Sequence, residues 1–150
     1  MEWQRYEYRV STDPALLQPE VIHAVLRQSY WAHDIPAELL RRAIENSLCF
    51  GLYRGEQQIG LARLITDYAT FAYVSDVFVL AEYQGQGLGQ WLMGCVLEHP
   101  DLQGLRRILL STLDAHALYR KLGFSELKYP ERMLEIFHEE IYRDTANRLD

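Results

Sequence analysis

The spacing of apolar residues changes period several times along the chain, and each change predicts an element. Trp3, Tyr6, Tyr8 and Val10 read as one strand that Asp13-Pro14 ends. From Pro19 to Tyr30, Ile22, Val25, Leu26 and Tyr30 recur at helical spacing. A second helix follows Pro36, a residue suited to a first turn, with Leu40, Ala43 and Ile44 on one face. The period then shortens. Cys49–Tyr53 and Ile59–Ile65 read as strands joined by a hairpin turn at Arg54-Gly55-Glu56-Gln57. After a turn at Asp67-Tyr68-Ala69-Thr70, Phe71 to Leu80 is apolar almost throughout, as a strand covered on both faces would be. Leu88, Trp91, Leu92, Cys95 and Val96 mark a helix, and Arg107–Ser111 a short strand. Ala115, Leu118, Tyr119 and Leu122 sit at i, i+3, i+4 and i+7, predicting a helix from an Asp114 N-cap to Gly123. Phe124–Leu127 and Met133–Phe137 read as two final strands, and His138–Asp150 as a helix or a polar tail. The order is that of a mixed α/β (α+β) domain spanning residues 1–150.

Composition narrows the class of function. A chain of 150 residues with 49% apolar residues buries a real core. Its net charge of −6, without a basic run, argues against nucleic-acid binding. No stretch has the roughly 18 apolar residues of a membrane span, and the N-terminal Met1-Glu2-Trp3-Gln4-Arg5 is no signal peptide. Cys49 and Cys95 lack the spacing of a zinc site or disulfide framework and read as half-buried thiols in a reducing, cytoplasmic setting. His23, His99 and His138 show no metal-ligand spacing, so no metal is expected; His116 lies where it could have a minor binding role.

The chemistry concentrates at Gln84-Gly85-Gln86-Gly87-Leu88-Gly89-Gln90, where a strand runs through alternating glycines into a helix. Such a turn aims unpaired N–H groups outward at a helix N-terminus, where phosphate is the natural guest; a tight turn without a ligand is the other reading. A Walker loop would need Gly-Lys-Ser/Thr, and a dinucleotide fingerprint would need glycine at Gln90. What remains, Gln84-x-x-Gly87-x-Gly89, resembles the pyrophosphate loop of the GNAT superfamily of acyl-CoA-dependent N-acetyltransferases. Downstream, the strand Ile108–Thr112 and Tyr119-x-x-x-Gly123-Phe124 resemble that superfamily's second motif. The similarity covers roughly residues 49–127.

The resemblance implies a central mixed sheet of about six to seven strands with helices on both faces, and acetyl-CoA as cosubstrate. It implies direct transfer of an acetyl group to a primary amine on a small molecule or peptide. Gln84, Gly85, Gln86, Gly87, Leu88, Gly89 and Gln90 would then hold the cofactor, with the backbone of Phe78, Val79 and Leu80 along its pantetheine arm and the Val79 N–H at the oxyanion. Asp114 stands where many members have Asn. Tyr119 would be the general acid, although its place on an apolar stripe also suits a core tyrosine. Asp76, read as sharing a strand face with Val74, Phe78 and Leu80, is either the general base or a satisfied structural carboxylate. Tyr30, Trp31, Asp67, Tyr68 and Tyr73 are candidates for the substrate side. A homodimer is possible on this reading, and a non-catalytic acyl-CoA sensor of the same fold is the alternative.

Overall fold

A hairpin replaces the single N-terminal strand. Tyr6 takes a φ of 54°, a left-handed conformation that breaks an extended run, so β1 (Glu2–Arg5) and β2 (Tyr8–Ser11) pair antiparallel. The computed structural model describes residues 1–144. β2 leads through α1 (Pro19–Leu26) and α2 (Ala37–Glu45) to β3 (Leu48–Arg54), β4 (Gln57–Thr66) and β5 (Phe71–Val79). α3 (Leu88–Glu98) then crosses over to β6 (Arg107–Leu110), and α4 (His116–Lys121) follows. The six strands lie in sequence order, every pair antiparallel except β5–β6.

Each face of the sheet has its own core. On one, Ile22, Leu26 and Leu40 of α1 and α2 cover Cys49, Leu61 and Phe78. On the other, Leu88, Leu92, Met93 and Val96 of α3 pack with Phe50, Leu52, Ala62, Leu64 and Val74. β5 serves both. Arg63 of β4 lies opposite Asp76, yet the next residue, Leu64, lies opposite Val74, so Ser75 is an extra residue. Such a bulge reverses the alternation of side chains beyond it. Asp76 therefore shares its face with Phe78 but not with Val74, contrary to the reading of an unbroken strand.

Other boundaries move for local reasons. α1 stops at Leu26 rather than Tyr30, because the Ser29 hydroxyl donates to the Leu26 carbonyl and accepts the Ala32 N–H, turning the chain. Pro36 stands as the N-cap of α2, not within its first turn. α4 is shorter than expected. Thr112 Oγ1, not Asp114, accepts the Ala115 N–H at 3.0 Å, while Gly123 does end the helix with a φ of 101°.

The two final strands, Phe124–Leu127 and Met133–Phe137, are not formed. Phe124 turns back onto Tyr119, ring centroids 5.6 Å apart, and Pro130–Arg132 make a short 3-10 turn. Neither segment joins the sheet, and a strand without a partner has no ladder to hold it. Of His138–Asp150, residues 141–144 are helical and residues 145–150 lie outside the described residues. Among the described residues no helix is long and apolar enough to cross a membrane, and no three His, Cys, Asp or Glu side chains cluster as metal ligands would.

Burial pushes both thiols up to about 12. A neutral thiol shielded from solvent is a poor nucleophile. In the native protein, Cys49 and Cys95 should therefore give almost no reaction with a thiol-disulfide reagent at about pH 8, the pH range in which a free thiol of ordinary pKa is substantially ionised. Unfolding in guanidinium should release both, which a titration of the two states reads directly.

Candidate active site

The end of β5 sets the geometry. Leu80 donates its N–H to the Ile59 carbonyl at 2.8 Å, which makes Leu80–Ile59 a hydrogen-bonded pair. Along an antiparallel ladder such pairs alternate with open ones, so Val79 opposite Gly60 and Val77 opposite Ala62 aim their N–H groups away from β4. On that other side, β6 pairs only with Phe71–Val74. From Ser75 to Val79 the β5 edge is left unpaired by β6, and a cleft opens between the diverging strands. Of the three residues expected to offer backbone groups, Val79 alone turns its N–H into that cleft. The amides of Leu80 and, by the same alternation, Phe78 serve β4. Val77 is the partner that inspection of the sequence missed, because only the register against β4 reveals which N–H groups are free.

The glycine loop follows at once. Gly85 and Gly87 have φ of 83° and 79°, and Gly87 is the N-cap of α3 with no side chain capping the first turn. The early N–H groups of this 11-residue helix are consequently available to an anion. A Cβ built on Gly85 or Gly87 would meet nothing within 4 Å, so the turn is open rather than filled by its own chain. Two side chains brace it: Gln84 Nε2 donates to the Val79 carbonyl at 2.8 Å, and the Tyr8 hydroxyl donates to Gln86 Oε1 at 3.2 Å. The residues present thus suit the diphosphate of coenzyme A. Gly87→Leu should cost about 1–2 kcal/mol from the left-handed backbone alone. It should also abolish the rise in Tm expected when coenzyme A is added to the native chain, a shift that binding to the folded state produces by mass action. Differential scanning fluorimetry with and without coenzyme A checks both.

On the α1/α2 side, Asp76 is almost fully buried and both its oxygens have partners. Oδ2 receives the Arg63 Nε–H, and Oδ1 receives the Trp31 indole N–H at 2.8 Å. Arg63 is itself held by the hydroxyls of Ser47 and Ser75, at 2.9 and 2.7 Å. Asp76 does not stand free in the cleft as a lone base would. Its two oxygens tie Trp31 to Arg63. Trp31 stacks edge-on against Tyr30, centroids 5.1 Å apart, and the Tyr30 hydroxyl accepts the Leu113 N–H at 3.0 Å. The Tyr30–Trp31 segment therefore spans the cleft from β5 to the loop before α4.

Tyr119 closes the constellation. It is buried, and burial first, with Tyr30 and Asp114 adding to it, holds its hydroxyl above the usual tyrosine range. Tyr30, Trp31 and Asp76 are thus linked by direct contacts, and Tyr30 lies near enough to Tyr119 to act on its hydroxyl. Asp67 is not among them. Its carboxylate accepts the N–H groups of Ala69, Thr70 and Phe71 and the Thr70 hydroxyl, and these bonds, Thr70's above all, hold it well below the usual carboxylate range. Asp67 is a turn former, with Tyr68 beside it at φ 62°. Tyr73 lines a groove alongside β6, and Asp114 is exposed just ahead of α4. Of the residues missed, Arg63 carried one signal: a lone charge inside the apolar run Gly60-Leu61-Ala62-Arg63-Leu64-Ile65.

Comparison with known proteins bears on this geometry. The model of the acetyltransferase (GNAT) family matches residues 18–124. A protein of Gibberella zeae, FG08082, which its name assigns to the acetyltransferases, is 41% identical over 150 residues, covering 84% of each chain. The crystal structure of a Xanthomonas campestris pv. campestris protein, xcc2953, described as belonging to the GNAT family, is similar at 49% identity. It covers 90% of this chain and 96% of that one with a TM-score of 0.88. A GNAT family acetyltransferase of Elizabethkingia anophelis, solved with acetyl-CoA bound, shares the fold at 16% identity and a TM-score of 0.62, covering 89% of this chain and 90% of its own.

Proposed function

The chain belongs to the acetyltransferase (GNAT) family, and from that premise we propose that it moves an acetyl group from acetyl-CoA to a primary amine, residues 1–150 acting as one transferase domain in the cytoplasm. When bound, acetyl-CoA supplies an activated acyl thioester. The carrying observation is the open left-handed turn at Gly85 and Gly87, set at the start of α3 beside the unpaired edge of β5. Amides of residues 85–90 hold the diphosphate there, as helix N-termini hold phosphates generally, while the Gln84 amide is donated to the Ala81 carbonyl. The backbone of Val77 and Val79 offers a strand edge to the pantetheine amides. The Val79 N–H is aimed where a developing oxyanion needs a donor, and Tyr119 donates a proton to the leaving sulfur.

The acceptor amine enters from the α1/α2 side. The faces of Tyr30 and Trp31 attract a cationic amine, and Asp76 holds Trp31 at that post. Asp76 is therefore a positioning residue, acting on the amine through the indole. The ammonium gives one proton to solvent water before it attacks, and a second as the C–N bond forms and the C–S bond breaks, which offsets the proton Tyr119 hands to sulfur. The reading is tested by incubating the protein with acetyl-CoA and a panel of amines: peptide N-termini, lysine peptides, polyamines, antibiotic amines and small metabolites. Release of free coenzyme A thiol with one class names the acceptor. Acetyl-CoA binding without turnover on any amine would make the chain a sensor. Absence of binding as well would end the proposal.

A further inference from the structure

α1 and α2 cover only part of their face of the sheet. Alternation along the strands puts Ile65, Tyr73 and Leu109 on that face, because their neighbours Leu64, Ala72, Val74, Ile108 and Leu110 pack toward α3. Ile65 lies opposite Tyr73, and Tyr73 opposite Leu109, so the three form one row across β4, β5 and β6. Ile65 is 48% exposed and Phe71, the next side chain on that face of β5, 37%; Tyr73 and Leu109 are half-buried. Together they make an apolar shelf open to water, more contiguous than scattered surface hydrophobics.

The shelf is continuous with the cleft. Val74–Leu110 is the last pair joining β5 to β6, so the row at Tyr73 lies one step before the strands part. Beyond it on β5 come Ser75, whose hydroxyl holds Arg63, and Asp76, which carries Trp31. Trp31 is 40% exposed, so part of its indole is free at that end of the shelf. On the other flank, Tyr73 and Leu109 also line the groove of about 1000 Å³ beside β6, whose far wall includes the chain's own Met133 and Glu135. That is room for a small molecule. Charge narrows the occupant. Arg106, Arg107, Lys128 and Arg132 line the groove with Glu126 and Glu135, and Glu126 is already paired with Arg120. Arg107 stands opposite Phe71, at the shelf's far end. A second ammonium on the substrate would meet net positive charge there. Resting on the acetyltransferase reading, we propose that the acceptor is a monoamine on an apolar body, alkyl or aryl, and not a polyamine. Its nitrogen meets the faces of Tyr30 and Trp31, and its body lies on Ile65, Tyr73 and Leu109, where leaving water favours it.

Two readouts test it. Calorimetric titration of ethylamine, pentylamine, phenethylamine and diaminopentane into the protein with coenzyme A present reads binding. Release of coenzyme A thiol from acetyl-CoA reads transfer. Pentylamine and phenethylamine should bind about tenfold or more tighter than ethylamine, the scale a hydrophobic pocket sets for added carbon, and diaminopentane no tighter than ethylamine. The order of kcat/KM should be the same. Tyr73→Thr should erase most of the phenethylamine-to-ethylamine ratio. Ile65→Thr, a change at an exposed strand position that a β-branched residue suits, should lower it in part. Equal affinities for ethylamine and phenethylamine overturn the proposal. So does diaminopentane binding more tightly than pentylamine, or a ratio that both substitutions leave intact. Apolar preference in binding without thiol release would remove the transferase activity and keep the shelf's role; thiol release indifferent to the amine's body would do the reverse. No binding of any amine, with no thiol release, overturns both.

Discussion

Replacing Tyr119 by Phe should lower kcat by roughly 10²–10⁴-fold while leaving the affinity for acetyl-CoA unchanged, the range a positioned proton donor commands. The phenyl ring keeps the packing against Phe124 and the place of the side chain in the α3-side core. Only the hydroxyl is lost. The prediction also has a sign in pH. Burial raises the hydroxyl above the ordinary tyrosine value of about 10. A raised pKa keeps a donor protonated to higher pH, so this acid should remain charged with its proton from about pH 7 to about pH 9. Native kcat should accordingly show no decline over that interval from loss of the donor. Stopped assays across the interval, with calorimetric titration of acetyl-CoA into the variant, give both answers. A kcat within about twofold of native, far below the loss expected of an acid, would reduce Tyr119 to a packing residue.

Asp76→Asn should destabilise the protein by about 3–5 kcal/mol, because it strips the counter-charge from Arg63 within the fold. Neither side chain can retreat to solvent, and two serine hydroxyls cannot neutralise a guanidinium. Urea unfolding should show a lower midpoint at an unchanged slope. Kinetics of the folded fraction separate two roles for the carboxylate. If it positions Trp31, the variant's KM for the amine rises and the shape of its pH profile is kept. If it takes the amine's proton, the acid limb of the profile disappears.

The elements whose period is clean were legible from the chain alone: β3, β4, β5 and α3 lie close to where apolar spacing puts them, and so does the glycine loop between the last two. Other features needed the third dimension. Phe71 to Leu80 is apolar almost throughout, and in such a run an inserted residue leaves no trace in the pattern. The extra Ser75 shows only when β5 is counted against β4. Tyr6 fits an alternating strand by composition, yet its left-handed backbone makes a hairpin. Met133–Phe137 has strand chemistry but joins no sheet, since composition alone supplies no partner edge. At the site, the chain suggests Tyr119, Asp76, Tyr30 and Trp31 one at a time. That Arg63 occupies the Asp76 carboxylate, and that Tyr30 reaches the Leu113 amide, follows from strands and loops meeting far apart in sequence.

Ser75 has a wider consequence. It works as a phase shifter: upstream, β5 is written in the phase that feeds Ala72 and Val74 to the α3 core, and downstream in the opposite one. A single strand can thereby close the hydrophobic interior at one end and, at the other, aim peptide hydrogens at a reactant while presenting a carboxylate to the aromatic wall opposite. Excising that one residue would make Val74 and Asp76 neighbours on a regular ladder, keeping both faces as they are but removing a hydroxyl that holds Arg63 and the local twist that an extra residue adds where β6 leaves the edge.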